Sequence, residues 1–447
     1  MALDTLEAEI EHVGRALHEA FPSPARHPVK ALDQRAMALT SSDQELKAAL
    51  FRFVDVTPAC RSLDDLAAHL VALVAEVDER PAPLAAAMRI SGTRAGRRAL
   101  GAAAAAGVRH MAHRFIVGES PQASLSELER FWRAGVSASV DLLGEATVTR
   151  SEADRYAERC REALEVLSAA SASWPGRPLL ERDQSGPLAR ANLSVKVSAL
   201  TPLMHADAPE RGRDDAAERM RPLLRRARDL GAHLHIDSES LDSLETTIEL
   251  AFELLAEDEF AEGPSAGVVL QAYLRESPDQ LERILDWTRA ADRATALTVR
   301  LVKGAYWDHE LVEARRQGWR PPVFERKADS DRSFEELSAR LLDARPAVRV
   351  AIASHNLRSV AHAIAYNRTR GGEDAGLELQ VLRGLGDDLQ QALATCGFRV
   401  RAYCPVGDLV AGMAYLVRRL LENTANDSFL SEQASGVAIE DLLAPPA

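Results

Sequence analysis

The chain has 447 residues, of which 46% are hydrophobic, so it can bury a large core and contain two or three domains. Its 67 acidic residues outnumber its 54 Lys and Arg residues, and the formal net charge of −13 argues against a nucleic-acid-binding surface. A site for an anionic ligand must therefore be built locally, from a few basic side chains.

The N-terminal region is predicted to be helical. The first residues, MALDTLEAEIEHVGRAL, are acidic and amphipathic and lack the basic start and apolar stretch of a signal peptide. The longest apolar run, ALGAAAAAGV at 99–108, is about half as long as a membrane-spanning helix. The four cysteines are widely spaced and form no C-x-x-C motif, which predicts reduced thiols, no disulfide, no structural zinc and a cytoplasmic protein.

From about residue 136 the pattern changes to short β-branched or apolar runs, each followed by a longer helical pattern, as in parallel βα units. Two of these helical patterns are DAAERMRPLLRRARDLG and LDSLETTIELAFELLA. Eight strands are predicted: SASVDLL (137–143), LSVKVSA (193–199), AHLHID (232–237), GVVLQAY (267–273), ALTVRLV (296–302), VRVAIAS (348–354), LELQVLR (377–383) and RVRAYCP (399–405).

Eight such units predict an α/β fold of the (β/α)8 TIM-barrel type, preceded by the all-helical region. GLGDDL at 384–389 is the nearest approach to a Rossmann glycine motif, and it ends in Leu. We expect three segments: a helical region at 1–107 (an arm and a helical domain), the barrel at 108–430 and a C-terminal tail at 431–447.

Active sites of such barrels lie at the C-terminal ends of the strands, so the residues at those positions are candidates for function. Each of them could also be a helix cap or a solvated charge. Together they form an unusually polar set: Glu145, Lys196, Asp237, Gln271 with Tyr273, Arg300 with Lys303, Ser354-His355-Asn356, Arg383 and Tyr403.

Arg418 and Arg419 stand side by side in AYLVRRLLE (414–422), a predicted amphipathic helix. Adjacent helical residues point about 100° apart, so both arginines cannot share one polar face. One interpretation is that Arg418 pairs with Glu422 and Arg419 extends to solvent. The other is that both converge with Lys196, Arg300 and Lys303 on a carboxylate or phosphate, to which a guanidinium offers two parallel hydrogen bonds.

His233, His235 and Asp237 alternate along one strand, and this H-x-H-x-D pattern also occurs in metal-dependent barrel hydrolases. No second group of His and carboxylate residues follows at later strand ends, so we interpret the two histidines as structural. A zinc hydrolase and a non-catalytic anion-binding barrel remain the alternative functions.

Five motifs resemble those of the proline dehydrogenases, and in particular of the proline dehydrogenase half of bacterial bifunctional proline utilisation proteins. They are SVKVSAL (194–200), QAY (271–273), RLVKGAYWDHE (300–310), SHN (354–356) and YLVRRLLENTAN (415–426). KAALFRFVDVTPACRS (47–62) extends the resemblance into the helical region.

The resemblance implies an FAD enzyme that oxidises L-proline to Δ1-pyrroline-5-carboxylate and passes electrons to a quinone, and it is compatible with peripheral contact at the inner face of a membrane. It implies Asp237, Arg300, Tyr403 and Lys196 as catalytic residues, with Asp237 orienting Tyr403. Substrate contacts are implied for Lys196, Arg418, Arg419, Tyr306, Tyr403, Tyr415, Ala305, Leu382 and Glu145, the last as a gate paired with Arg419. Flavin contacts are implied for Gln271, Arg300, Val302, Lys303, Gly304, Trp307, Ser354, His355, Asn356 and Glu422. No metal is implied.

Two departures from the family pattern are Ser354, where Thr is commoner, and Ser240, where relatives often have a second Glu. After SFLSEQ (428–433) we expect no aldehyde dehydrogenase half, so the product would pass to a Δ1-pyrroline-5-carboxylate dehydrogenase as functional partner. A natural monofunctional enzyme and one half of a bifunctional protein both fit the sequence, and the oligomeric state, including a homo-oligomer, stays open.

Overall fold

Eight parallel strands form a closed barrel in the computed structural model, which describes residues 3–22, 44–78, 82–144, 147–408, 412 and 437–446. The strands are β1 Val136–Leu142, β2 Asn192–Lys196, β3 His233–Asp237, β4 Ser265–Gln271, β5 Leu297–Val302, β6 Val348–Ala353, β7 Glu378–Leu382 and β8 Arg399–Val406. Neighbours along the chain are neighbours in the barrel, and β1 closes it by pairing with β8 and β2.

All eight predicted strands are therefore confirmed, with differences of a few residues at their ends. The predicted strand LSVKVSA ends at Lys196, because Val197–Ala199 turns into a short 3-10 helix. That early turn places Lys196 at the C-terminal end of β2, where the barrel opens.

Helices on the outside of the barrel join the strands. They are α6 Pro121–Arg133, α7 Arg150–Ser171, α8 Pro209–Asp229, α9 Leu241–Leu255, α10 Ser277–Ala290, α11 Trp307–Gln317, α12 Lys327–Asp343, α13 Leu357–Thr369 and α14 Asp387–Thr395. Thr149 starts α7 with a capping box in which it exchanges hydrogen bonds with Glu152. The apolar stripes of these helices and the outward side chains of the strands form one large core.

The N-terminal region is helical, as predicted, with α1 Leu3–Glu19, α2 Gln44–Val56, α3 Leu63–Ala75, α4 Ala82–Ile90 and α5 Arg94–Phe115. Buried side chains of α2, α3 and α5 form a second core that also includes Leu143 and Leu385, which follow strands β1 and β7. This region therefore packs against loops at the C-terminal end of the barrel. The division at residue 107 falls inside α5 and stays a prediction.

Helix α1 packs separately from the other N-terminal helices, against α13. Ile10, Val13 and Leu17 bury one face of α1 in the barrel core. Among the described helices, none is both long enough and apolar enough to cross a bilayer.

Candidate active site

Arg300 projects from β5 into the barrel interior and forms the centre of a buried polar cluster. Its Nη1 donates to Asp237 Oδ1 at 2.6 Å, and its Nε donates to Gln380 Oε1 at 2.7 Å. Its Nη2 reaches Ser194 Oγ at 3.2 Å and Ser139 Oγ at 3.4 Å. Only 4% of Arg300 is exposed. Residues of four other strands hold its guanidinium in place.

Tyr403, near the middle of β8, is joined to the same cluster. Its hydroxyl donates to Asp237 Oδ2 at 2.6 Å, and the Arg300 guanidinium carbon lies 5.3 Å from the centre of its ring. Burial, with the negative charges of Asp141 and Asp237, raises the pKa of Tyr403 well above its usual value, so the phenol stays protonated. Asp237 thus uses one oxygen for Arg300 and the other for Tyr403, which fixes the position of both.

Lys196 lies at the end of β2, and its ammonium donates to Asp141 Oδ1 at 2.5 Å. Both side chains are buried, and Asp141 is fully inaccessible. A buried ion pair of this kind fixes the direction of the ammonium at some cost in desolvation. The arrangement fixes a cation at the end of β2, on the opposite side of β1 from the strand β8 that carries Tyr403.

Gln271 and Lys303 follow the ends of the neighbouring strands β4 and β5. Gln271 Nε2 donates to the carbonyl of Glu239 at 3.0 Å. Lys303 forms an ion pair with Asp331 of α12, and its ammonium lies 5.7 Å from the centre of the Phe334 ring. Burial lowers the pKa of Lys303 although Asp331 opposes the shift. These contacts direct Lys303 to α12 rather than to the Arg300 cluster.

Gly304 allows a close approach of the chain after β5. Its φ of +129° is unfavourable for other residues, and a Cβ built there would lie 2.3 Å from the ring of Tyr273. A larger residue would push the main chain out of the space between the ends of β4 and β5. The glycine of the RLVKGAYW motif is therefore required by the local geometry.

Ser354, His355 and Asn356 connect β6 to the N-terminus of α13. Asn356 caps this helix by accepting from the main-chain nitrogen of Ser359 at 2.9 Å. His355 Nε2 accepts from the main-chain nitrogen of Leu382 at 2.9 Å, which ties the loop to the end of β7. Ser354 Oγ accepts from the main-chain nitrogen of Asn356 at 3.1 Å. The three side chains thus hold the loop in a defined conformation at a helix N-terminus.

The remaining candidate residues differ in where they lie. Val302, Ala305, Tyr306, Trp307 and Leu382 lie at the same end of the barrel and are partly exposed. Trp307 begins α11, and its indole nitrogen donates to the carbonyl of Phe324 at 2.8 Å. Arg383 instead pairs with Glu127 of α6 at 2.8 Å, and so does not join the cluster. Outside the described residues lie Glu145, Tyr415, Arg418, Arg419 and Glu422.

His233 and His235 lie inside the barrel, towards its N-terminal end and away from the open end. His233 Nε2 is 3.2 Å from His235 Nδ1, and His233 Nδ1 is 2.9 Å from Ser265 Oγ. Burial, followed by the positive charge of Arg401, lowers the pKa of His233 to about 3. Since Asp237 is already engaged by Arg300 and Tyr403, the three residues do not act as one ligand set, which supports a structural role for the histidines.

Within the described part of the chain, a single group of His, Cys and carboxylate residues could reach one metal ion. Cys60, Asp65 and His69 have ligand atoms within 4.8 Å of one another, at the start of α3 in the helical region. No metal site was predicted at these residues from the sequence. The three residues are partly or fully exposed and lie outside the barrel. All four cysteines are free thiols.

Two partners in the cluster were missed by sequence analysis. Asp141, near the C-terminal end of β1, and Gln380, in the middle of β7, point inwards and bind Lys196 and Arg300. Their signal is a charged or amide residue with an apolar residue on each side inside a predicted strand, VDL in SASVDLL and LQV in LELQVLR. A buried polar group requires a partner, so such residues indicate an interior network.

Comparisons with known proteins agree with this geometry. The family model described as proline dehydrogenase matches residues 124–432, and the model of the proline utilization A N-terminal domain matches residues 7–115. The bifunctional protein PutA of Salmonella typhimurium is 32% identical over 347 residues, which are 76% of this chain and 25% of that protein. The proline dehydrogenase of Deinococcus radiodurans is 27% identical over 322 residues, which are 72% of this chain and 89% of that protein.

A crystal structure of proline utilization A from Bdellovibrio bacteriovorus, inactivated by N-propargylglycine, superposes with a TM-score of 0.88. The match has 32% sequence identity and covers 99% of this chain and 44% of that chain. A bifunctional PutA of Rhizobium meliloti is 33% identical over 344 residues. This chain spans about a quarter of the length of the PutA relatives that it matches.

Proposed function

Because the chain belongs to the proline dehydrogenase family, we propose that it oxidises L-proline to Δ1-pyrroline-5-carboxylate, the first step of proline catabolism. The observation that carries the proposal is the joint placement of Lys196, Arg300, Asp237 and Tyr403 around the open end of the barrel. Lys196 and Arg300 belong to the motifs SVKVSAL and RLVKGAYWDHE, which resemble the family. Each of the four residues is also held by a buried hydrogen bond or ion pair.

The substrate carboxylate would bind Lys196 together with Arg418 and Arg419. Lys196 supplies a fixed positive charge at the end of β2. The two arginines lie outside the described residues, and the resemblance alone supports their part. Charge-assisted hydrogen bonds to a carboxylate orient a small acid, and this sets which ring carbon faces the centre of the site. The ring would be enclosed by Ala305, Tyr306, Leu382, Tyr403 and Tyr415, with Glu145 over the entrance.

FAD is the proposed cofactor, and several features of the described residues fit it. Gly304 lets the chain after β5 pass close to the ring of Tyr273, which a Cβ at this position would prevent. The loop 354–356 leads into the N-terminus of α13, where main-chain N–H groups can donate hydrogen bonds to phosphate oxygens. The residues proposed to hold FAD are Gln271, Arg300, Val302, Lys303, Gly304, Trp307, Ser354, His355, Asn356 and Glu422. When bound, FAD would supply the hydride acceptor that the protein's own side chains lack.

The chain's residues would lower the barrier mainly by position and electrostatics. Arg300 is fixed by Asp237 and Gln380, so its positive charge is already oriented towards charge that develops in the reaction. Oxidation removes a hydride from the carbon beside the amine. This hydride leaves readily only when the amine is neutral. A site with Lys196 and Arg300 disfavours an ammonium, so the amine proton would be lost to solvent before the reaction.

We further propose that a quinone accepts the electrons, at a membrane surface that the protein contacts peripherally from the cytoplasm. The resemblance to the family supports this proposal. The relatives named bifunctional PutA suggest that a Δ1-pyrroline-5-carboxylate dehydrogenase acts next, as a separate protein or as another part of the same chain.

A visible spectrum of the purified protein tests the proposed function directly. We expect the absorbance of oxidised flavin, and its loss when L-proline is added without oxygen. Tightly bound zinc in place of flavin absorbance would favour the hydrolase alternative. Bound flavin that proline does not bleach would favour a binding protein.

A further inference from the structure

A small polar cavity lies inside the barrel at its N-terminal end, remote from the open end where the candidate active site lies. Its volume is about 20 Å³. The first residues of several strands line it, and the loop that contains Asp183 and Leu188 covers it. The N-terminal end of such a barrel usually serves stability and carries no catalytic residue. Charged side chains in this cavity therefore require another explanation.

Two of the three arginines around the cavity have complete partners. Arg349 donates from Nε and Nη2 to both oxygens of Asp183, at 3.1 and 3.3 Å. Arg401 donates from Nε and Nη2 to both oxygens of Glu378, at 2.8 and 3.0 Å. Each carboxylate thus forms a two-point ion pair with one guanidinium, and the two pairs are electrically balanced.

Arg399 lies between these two pairs and has no carboxylate of its own. It is 2% exposed, and its guanidinium is 3.7 Å from Asp183 and 4.0 Å from Glu378. Its Nε and Nη1 are buried with no hydrogen-bond partner among the described residues. Buried N–H groups of a charged side chain rarely lack partners, because the loss of their hydration is costly.

Among the described residues, the charges around the cavity leave an excess of one positive charge. Three guanidinium groups, Arg349, Arg399 and Arg401, face two carboxylates, Asp183 and Glu378. Burial, with the field of the arginines, keeps the pKa values of both His233 and His235 far below neutral pH, so neither changes the balance. Burial would raise the pKa of Glu378, but Arg401 and Arg399 lower it overall, so this carboxylate is ionised.

Water could satisfy the hydrogen bonds of Arg399, but it would leave the excess charge uncompensated. A monovalent anion would satisfy both requirements. A cavity needs a volume of roughly 10–15 Å³ to hold one water molecule, so this cavity admits a single species of about the size of a water molecule. Phosphate and other tetrahedral oxyanions are too large for it.

We propose that this cavity is a binding site for a small monovalent inorganic anion of the halide class, held by Arg399. The bound anion neutralises the charge of Arg399, the first residue of β8. Gln380 lines this cavity and also accepts a hydrogen bond from Arg300, so the proposed anion site adjoins the candidate active site.

Crystals of the wild-type protein grown with sodium bromide test the proposal, because bromide can be located by its anomalous scattering. We expect an anomalous peak beside Arg399 Nε or Nη1. Water density there without an anomalous signal would overturn the proposal. This measurement needs no variant and so does not depend on the folding of a mutant.

Thermal melts provide the second test, with sodium chloride compared against sodium gluconate at equal ionic strength. Above its dissociation constant, each tenfold rise in chloride should raise the Tm by about 1–2 °C for a chain of this size. Arg399→Gln should abolish that dependence. The control Arg289→Gln removes an exposed arginine paired with Asp286, and it should keep the dependence. The same Tm in the two salts, or an equal loss of the chloride dependence in both variants, would contradict a specific site.

Discussion

The guanidinium of Arg300 and the carboxylate of Asp237 form a buried ion pair, with Nη1 2.6 Å from Oδ1, between strands that flank β4. The other oxygen of Asp237 holds the hydroxyl of Tyr403. One carboxylate therefore determines the position of a cation and of a phenol. Its removal should affect both.

Asp237→Asn keeps the shape of the side chain but removes its charge. Asn can still accept from Arg300 and cannot accept with its amide nitrogen from Tyr403. A charge-assisted hydrogen bond contributes about 1.5–3 kcal/mol, so kcat/KM for proline should fall by about 10- to 150-fold. Steady-state kinetics measure this, with Asp229→Asn, an exposed aspartate, as control. Unchanged kinetics would show that the pair serves stability alone.

Gln380→Leu should impair the reaction indirectly, since Gln380 touches Arg300 rather than the substrate. Its carbonyl accepts from Arg300 Nε, and its amide donates to Glu378 at 2.6 Å, so its orientation is fixed. Loss of a hydrogen bond worth about 1 kcal/mol predicts a fall in kcat of about 5-fold, with a smaller change in KM. Gln317→Leu removes an exposed glutamine and should leave both constants unchanged. A fall in Tm without a change in kcat would refute the positioning role.

Tyr403→Ser should alter the choice of substrate. The large ring of Tyr403 is expected to crowd a substituent on the proline ring and thus to favour proline over 4-hydroxyproline. The serine variant should narrow the ratio of kcat/KM for the two substrates. Tyr403→Phe keeps the ring and loses the bond to Asp237, so it should lower activity and keep the preference. The same ratio in wild type and the serine variant would exclude Tyr403 as the selecting residue.

Arg418→Met and Arg419→Met distinguish the two interpretations of the arginine doublet, which lies outside the described residues. If both arginines bind the substrate carboxylate, each variant should weaken proline binding by about 10- to 150-fold and leave the Tm nearly unchanged. If Arg418 merely pairs with Glu422, the stability should change by a few tenths of a kcal/mol and KM should stay the same. Kinetics and melts on both variants decide between these outcomes.

His362 predicts a loss of stability in acid. Burial, and then the charge of Arg358, lower the pKa of His362 to about 4, whereas an unfolded histidine titrates near 6.5. Below pH 6.5 the unfolded chain therefore binds a proton that the folded protein does not, and stability falls as the pH falls towards 4. This contribution amounts to as much as about 3 kcal/mol.

Denaturant unfolding of His362→Gln at several pH values measures this contribution. The free energy of unfolding of the variant should depend less steeply on pH between 6.5 and 4 than that of the wild type. His12→Gln replaces an exposed histidine of α1 and serves as the control. Parallel curves for His362→Gln and wild type would contradict a buried neutral histidine.

Hydrophobic pattern was sufficient to predict all eight strands and their order, because a buried parallel strand is short, apolar and followed by a helix. Strand ends also located Lys196, Asp237 and Arg300 correctly at the barrel's interior. Pattern could not identify their partners. Asp141 meets Lys196 and Gln380 meets Arg300 only through closure of the barrel, which joins residues 55 and 80 positions apart. Pairings at such separations depend on three-dimensional register, which the local sequence does not encode.

The N-terminal helix was predicted as part of the helical region, but it packs on the barrel. This contact, too, joins residues that are far apart in the sequence. Arg358 of α13 donates to both carboxylate oxygens of Glu7 at 2.9 Å, to Glu335 at 2.9 Å and to the carbonyl of Leu443 at 2.7 Å. This single buried guanidinium joins helices from opposite ends of the sequence.

The contact between Glu7 and Arg358 also has a consequence for synthesis on the ribosome. Helix α1 leaves the ribosome early, but the surface that covers Ile10, Val13 and Leu17 is translated about 350 residues later. At roughly 5–20 residues per second, that interval is on the order of 20–70 s. Most of the stability of a helix in a protein comes from packing of its apolar face. Until its packing surface is translated, the 17-residue helix α1 therefore exposes its apolar side chains. Nascent α1 therefore lacks its packing surface until most of this sequence has been translated.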